Sequence, residues 1–265
     1  MTIRRLRADN ARRSGGRLRA PSALLRTEPK ADATEIFLYG ALFPDPFFEG
    51  EISADDFMKT LATVTTAKVT VRINSPGGVI TEGMAIFNAL HERRQNVTTQ
   101  VDGLAASMAA DILLAGDARR AAGPGAFVMT HRGWGLAIGN DDEIRAVADT
   151  LTKIDGSRAD IYAARLKKPV ADIRQTLLGA GDAWHTANEA KALGLVQEIG
   201  GVDSGDENPA DLAAAFDLSA YEHAPAALNR PPRFEKVDDD VDAETQARAA
   251  RAMQARRMRM AAAAV

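Results

Sequence analysis

Between residues 35 and 130, short apolar strands alternate with helix-forming stretches at about one unit per thirty residues. Glycine- or alanine-rich turns lie where strand passes into helix. This rhythm predicts an α/β fold, because each crossover helix returns the chain to the start of the next strand. Glu35–Tyr39 (EIFLY) reads as the first strand. Ser53–Val64 reads as a helix with Ser53 as N-cap and Asp55 and Asp56 in its first turn. Val69–Ile73 alternates apolar and polar residues as a strand does, and Ile80–Arg93 is predicted as a helix. Val97–Val101 and Phe127–Thr130 are predicted strands, with a helix at Ser107–Leu114 between them. Asn140–Leu166 is a long helical pattern capped by Asn140 or Asp141, with Ile144, Val147, Leu151, Ile154 and Ile161 along one stripe. A small domain cannot easily cover so long a helix, so part of it is expected to pack on another subunit.

Composition narrows the class. Of 265 residues, 46% are hydrophobic and 26% charged, ordinary for a globular protein with ample core material. Cysteine is absent, which excludes disulfides and thiolate metal sites and is compatible with a reducing compartment. No run approaches the roughly 18 apolar residues of a membrane span, and the basic amino terminus lacks a secretion signal's apolar segment. A cytoplasmic location is therefore expected. The net charge of −3 conceals a local excess, since residues 1–30 hold nine Arg or Lys against two acids. Residues 1–31 are read as a basic disordered arm and 32–202 as the folded domain. Residues 203–241 read as an acidic, Pro-containing linker, and 242–265 as an Arg/Ala/Met-rich helix or tail.

Two strand-to-helix junctions carry candidate chemistry. In INSPGG (residues 73–78), Pro76 restricts the backbone and the glycines free it. This is either a plain tight turn or a place where the N–H groups of Gly77 and Gly78 face a developing negative charge. The segment lacks the GxxxxGK[ST] pattern of a phosphate loop, so nucleotide binding is not expected. In GLAASMAADILLAG (residues 103–116), Ser107 is either a small packing residue or a nucleophile at a helix start. In the second case, the N–H of Met108 could face the same point as the serine oxygen. A serine nucleophile needs a base. His91 and His223 sit in polar surroundings, His185 precedes a predicted helix, and His131 ends the strand FVMTH at the rim of the sheet. HERRQ lacks the second histidine of HExxH, and no His/Asp spacing suits zinc, so no metal is expected.

RINSPGGVITEGMAIFNAL, GLAASMAADILLAG and FVMTHRGWG, in this order and spacing, resemble the proteolytic subunits of the Clp protease family over about residues 35–200. HRGWGLAIGNDDEIRAVADTL, with Trp134, Gly139 and Asn140, is closest to the Clp-related head maturation proteases of tailed phages and prophages. DAWHTANEAKALGLVQEI also matches a pattern that precedes a final strand in that family. The resemblance implies a crotonase-like α/β fold of repeated ββα units with a long protruding helix. It implies Ser107 as nucleophile, His131 as general base, and the N–H groups of Gly78 and Met108 as oxyanion hole. The acid two residues before the matched tryptophan is Asp182, which the resemblance implies as third triad member, with Asp155, Asp160 and Asp172 as nearby alternatives.

These features point to a serine endopeptidase that needs no cofactor. An extended peptide would add as a strand beside Gly77, Gly78, Val79 and Ile80. The implied partners are a protein substrate, such as capsid or scaffold protein, and further copies of the chain in a ring. The implied location is host cytoplasm or assembling prohead. Neither a membrane nor nucleic acid is an expected partner. The sequence has no ATP-binding motif, so a degradative role would need a separate ATPase. The basic arm and the extra tail differ from housekeeping Clp subunits. Two further alternatives remain: a crotonase-fold acyl-CoA enzyme and a capsid-assembly protein with a retired site.

Overall fold

The computed structural model describes residues 25–44, 51–135, 137–179, 181–200, 216, 218, 221–225 and 228. Residues 1–24 of the expected arm and the expected tail at 242–265 lie outside them. Contacts divide the described chain into a small unit, Gly133–Ser157, and a larger one holding the described residues of 18–132 and 158–232. No helix among the described residues is long and apolar enough to cross a membrane.

The larger unit is built on an eight-stranded sheet. β2 (Ala33–Tyr39), β5 (Lys68–Ser75), β6 (Val97–Ala106), β7 (Ala118–Ala121) and β10 (Glu198–Ile199) lie side by side and parallel. β1 (Leu25–Pro29) adds antiparallel to the outer edge of β2. β3 (Ala41–Leu42) and β4 (Glu51–Ile52) form a separate parallel pair. Val69, Val71 and Ile73 alternate into the core along β5, as the apolar period of the sequence requires.

Helices cover these strands. In α1 (Ala54–Ala62), Ser53 Oγ accepts the N–H of Asp56 at 3.0 Å, so the expected N-cap is present, while Phe57 and Leu61 face inward. α2 (Ile80–Glu92) buries Ile86, Phe87 and Leu90 and packs on α3 (Met108–Leu113), whose residues are all buried. Burying one such large apolar side chain contributes about 1.5–3 kcal/mol. α5 (Val170–Thr176) and α6 (Ala187–Leu193) follow, the latter begun by a capping box of Thr186 and Glu189.

β6 changes neighbours along its length. Thr98–Val101 pairs with β7, whereas Leu104–Ala106 pairs with β8 (Phe127–Thr130). On its other side the register with β5 passes from Ile73↔Val101 to Ser75↔Ala105, so β6 accommodates extra residues there. The buried Asn74 side chain spans this irregularity, its Oδ1 accepting the N–H of Leu104 at 3.1 Å. β9 (Ala183–Thr186) then pairs antiparallel with β8.

A helix of the long pattern is present as α4, Asp141–Leu166. In the small unit, the Asn140 side chain accepts the N–H of Glu143, and the Glu143 carboxylate accepts the N–H of Asn140. Trp134, Ile138 and Ile144 are exposed there, Ile144 at 44%, so the expected apolar stripe begins in solvent in this single chain. From Arg158 onward, α4 belongs to the larger unit. Arg158 and Asp111, 2% and 1% exposed, form a two-pronged ion pair with both N···O distances 2.9 Å. A third guanidinium N–H donates to the carbonyl of His131 at 3.1 Å.

Two segments depart from the compositional expectation. β1 lies within the span read as a disordered arm, held by its ladder to β2 and by Arg26 over the Phe37 ring. Phe216, Leu218, Tyr221, Ala224 and Leu228 lie within the span read as linker, yet they pack on Leu104, Ala106, Met129 and Trp184. Acids and prolines dominate that stretch on average and hide the apolar residues spaced through it.

Removing one partner of the Arg158–Asp111 pair leaves a buried unpaired charge, so Arg158→Met is expected to cost about 3–5 kcal/mol. Denaturant unfolding measures this. Asp111→Leu combined with Arg158→Met should recover part of the loss, since both charges are then gone.

Candidate active site

Ser107 stands between the end of β6 and the start of α3. Its φ of 54° and ψ of −126° lie in a region that non-glycine residues rarely occupy. Such a backbone costs about 1–3 kcal/mol and persists where neighbours hold it. Here the Ser107 N–H donates to Met129 O, and Ser107 O accepts from the Ala110 N–H, both at 2.9 Å. The side chain is thereby turned out at the junction toward the end of β8.

Register brings the other two groups to it. Thr130 of β8 lies opposite Ala183 of β9, so the residue after one and the residue before the other meet at the same edge. Those residues are His131 and Asp182. His131 Nε2 lies 2.7 Å from Ser107 Oγ, and His131 Nδ1 lies 2.8 Å from Asp182 Oδ1. Ser107 and His131 are buried, and the Asp182 side chain is nearly so. The other Asp182 oxygen accepts the N–H of Glu222 at 2.6 Å. Burial opposes ionisation of Asp182, but the hydrogen bonds from His131 and the Glu222 N–H prevail and hold its carboxyl below the ordinary 3.8.

The SPGG turn lies against the serine. Gly77 has φ +82°, and a Cβ there would fall 2.5 Å from Ala106 O and 2.8 Å from Ser107 Cβ, so only glycine fits. Its N–H donates to Ser75 Oγ at 3.1 Å. Leu42 bridges the turn from one side, donating to Gly77 O and accepting from the Val79 N–H, each at 2.9 Å. Because alternate residues of an extended chain point in opposite directions, the Gly78 N–H faces away from Leu42. Among the described residues, neither the Gly78 N–H nor the Met108 N–H has a hydrogen-bond partner. Val79 is thus engaged by Leu42, and Ile80 is already helical as the first residue of α2. Both lie beside the expected substrate edge, but Ile80 does not extend it.

Of the remaining histidines, His223 directly follows Glu222, whose N–H meets Asp182, while His91 and His185 lie elsewhere. His91 stacks on Phe87 near the end of α2, with ring centroids 5.2 Å apart. His185 is buried on β9, where burial pushes its pKa below 6.5 against the opposing charge of Glu189. The Asp155 side chain accepts the N–H of Gly133 within the small unit, whereas Asp182 is the acid on His131. Asp160 is exposed on α4, and Asp172 lies in the first turn of α5. Three groups escaped the sequence: Arg158 on the His131 carbonyl, Glu222 on Asp182, and Tyr221 with its ring edge to that of His131. The only signal for the last two was the apolar spacing in FDLSAYEHAPAAL.

A depressed carboxyl pKa stabilises the folded state above the ordinary value, and that contribution is lost as pH falls through the folded value. Below about pH 4, the thermal midpoint of the native chain should therefore drop more steeply than that of Asp182→Asn. Equal slopes would show that Asp182 is not held ionised. Gly77→Ala should displace Ser107 and lower the thermal midpoint.

A family model described as Clp protease matches residues 50–203. An ATP-dependent Clp protease proteolytic subunit from Pleurastrum terricola is 37% identical over 130 residues, which make up 49% of this chain and 65% of that protein. This chain therefore spans less than two thirds of that relative's length. The family match covers more than half of the residues, and with it the mixed sheet and crossing helices find their place: the chain belongs to the Clp protease family.

Proposed function

We propose that the chain is a serine endopeptidase working through Ser107, His131 and Asp182. The observation that carries this is the unbroken hydrogen-bonded line from Ser107 Oγ through the His131 ring to Asp182. The N–H groups of Gly78 and Met108, without partners among the described residues, add support. In this mechanism His131 Nε2 takes the proton as Ser107 Oγ attacks a peptide carbonyl. Asp182 accepts from Nδ1–H and stabilises the imidazolium. The oxyanion is held by the Gly78 and Met108 N–H groups, each such donor contributing about a hundred- to a thousandfold in rate. His131 then protonates the leaving amine, and water hydrolyses the acyl-enzyme by the same route. The extended peptide lies along Gly78, on the side opposite Leu42, with Gly77 and Val79 shaping that edge.

Nothing in this scheme uses a metal or organic cofactor. The motifs around Trp134 and Asn140 favour capsid or scaffold protein as substrate, cleaved during phage head maturation in the prohead or host cytoplasm. The exposed Trp134, Ile138 and Ile144 favour assembly with further copies, as in a ring. Any unfolding of substrate would fall to a separate ATPase. A crotonase-like relationship would accord with the Gly78 and Met108 N–H groups sharing one oxyanion in this scheme.

Intact-mass analysis after treatment with a fluorophosphonate should show one adduct that is lost in Ser107→Ala. Cleavage of casein should vanish in the same variant and fall about 10⁴-fold in Asp182→Asn. An assembled oligomer that takes no adduct would overturn the peptidase reading and leave a capsid-assembly protein with a retired site.

A further inference from the structure

The segment after the folded domain reaches three parts of the site at once. The Tyr221 hydroxyl donates to the carbonyl of Pro76 at 2.5 Å. Its ring meets His131 edge-on, with centroids 5.8 Å apart, and meets Trp184 in the same manner at 6.1 Å. The next residue, Glu222, gives its N–H to Asp182, while its carbonyl accepts the indole N–H of Trp184 at 2.9 Å. Leu218 and Leu228, both fully buried, anchor the chain on either side.

The bond to Pro76 has a specific mechanical consequence. Pro76 O and the Gly77 N–H are the two polar ends of one planar peptide group. Tyr221 holds the first end and Ser75 Oγ the second, at 3.1 Å. The peptide plane leading into the two glycines is therefore fixed at both ends. Glycines are the residues least able to hold a conformation by themselves. The Gly78 N–H lies in the next peptide group, whose Gly77 carbonyl accepts the Leu42 N–H at 2.9 Å, so its direction rests on both anchors. Tyr221 remains a donor throughout the working pH range, since burial above all, and then the charge of Asp182, raises its pKa against the opposing contact of its hydroxyl with the Ser107 side chain.

We propose that Tyr221 is a positioning residue for the oxyanion-binding loop, acting through the Pro76 carbonyl, with Glu222 steadying Asp182 in the same strap. The role rests on the serine-peptidase reading for its catalytic effect, but not for its structural effect. Without the hydroxyl, the Pro76–Gly77 peptide keeps only its Ser75 anchor, and the Gly78 N–H is steadied from the Leu42 side alone, so it strays more often from the oxyanion.

Tyr221→Phe in the full chain is the test, because it removes the hydroxyl and keeps the ring on His131 and Trp184. With an N-acyl amino acid 4-nitrophenyl ester, kcat should fall about ten- to a hundredfold while KM stays nearly constant, since misplacement by about 1 Å has effects of that order. Amide hydrogen exchange in peptides covering residues 74–80 should speed up, with the rest of the sheet unchanged and the thermal midpoint lowered only slightly, as for one lost hydrogen bond. Unchanged exchange at the loop would overturn the proposal, as would a rise in kcat, which would make Tyr221 a plug over the site. Faster exchange over the whole sheet would also overturn it, by showing a general structural role. The exchange measurement needs no turnover. A native chain that neither labels nor cleaves therefore overturns the peptidase reading alone, and unchanged loop exchange overturns the role of Tyr221 alone.

Discussion

β6 cannot serve one neighbour along its whole length. Its first half belongs to β7 and its second half to β8, and the change is accommodated by extra residues opposite β5 that the Asn74 side chain bridges. The meeting of Ser107, His131 and Asp182 follows from that change of partner. It brings the end of β6, and with it Ser107, beside the end of β8, where His131 begins. The antiparallel pairing of β8 with β9 then sets Asp182 against His131. A change of one residue in either register would turn the side chains to opposite faces of the sheet.

The site is held by polar groups that lie largely out of water. Arg158 engages both oxygens of Asp111 and the carbonyl of His131, so the backbone carrying the imidazole is anchored to the helix that Ser107 begins. Strain at Ser107 is sustained by hydrogen bonds to Met129 and Ala110. On the other side, the strap of Tyr221 and Glu222 closes over Asp182 and the SPGG turn. Low exposure strengthens the buried bonds of Arg158, and it also means that losing one partner there leaves another polar group stranded.

Much of this was legible in the chain alone. Strand and helix periods located β2, β5, β8, α1, α2 and α4 to within a few residues, because alternation at two or near 3.6 is a local pattern. β6 instead runs five residues past the expected Val101, because its second half pairs with β8. The capping residue Ser53 was also legible, and Asn140 was one of two candidates, since an N-cap acts within one turn. The strap was not. Its apolar residues Leu218, Tyr221, Ala224 and Leu228 recur three or four apart, but Pro225 interrupts the run, and the acids and prolines around it carry the composition of a linker. β1 was hidden for a similar reason, as LRTEP acquires its strand form by pairing with β2.

By itself, the sequence determined the residue types at each junction: a serine among alanines where strand meets helix, glycines that permit a positive φ, and a histidine at a strand end. These are local properties, set by side-chain size and backbone freedom. Only the tertiary structure decided which acid meets His131, which N–H groups stay unpaired, and what covers Asp182. Those depend on register and on contacts between residues as far apart as Pro76 and Tyr221, which no local pattern encodes.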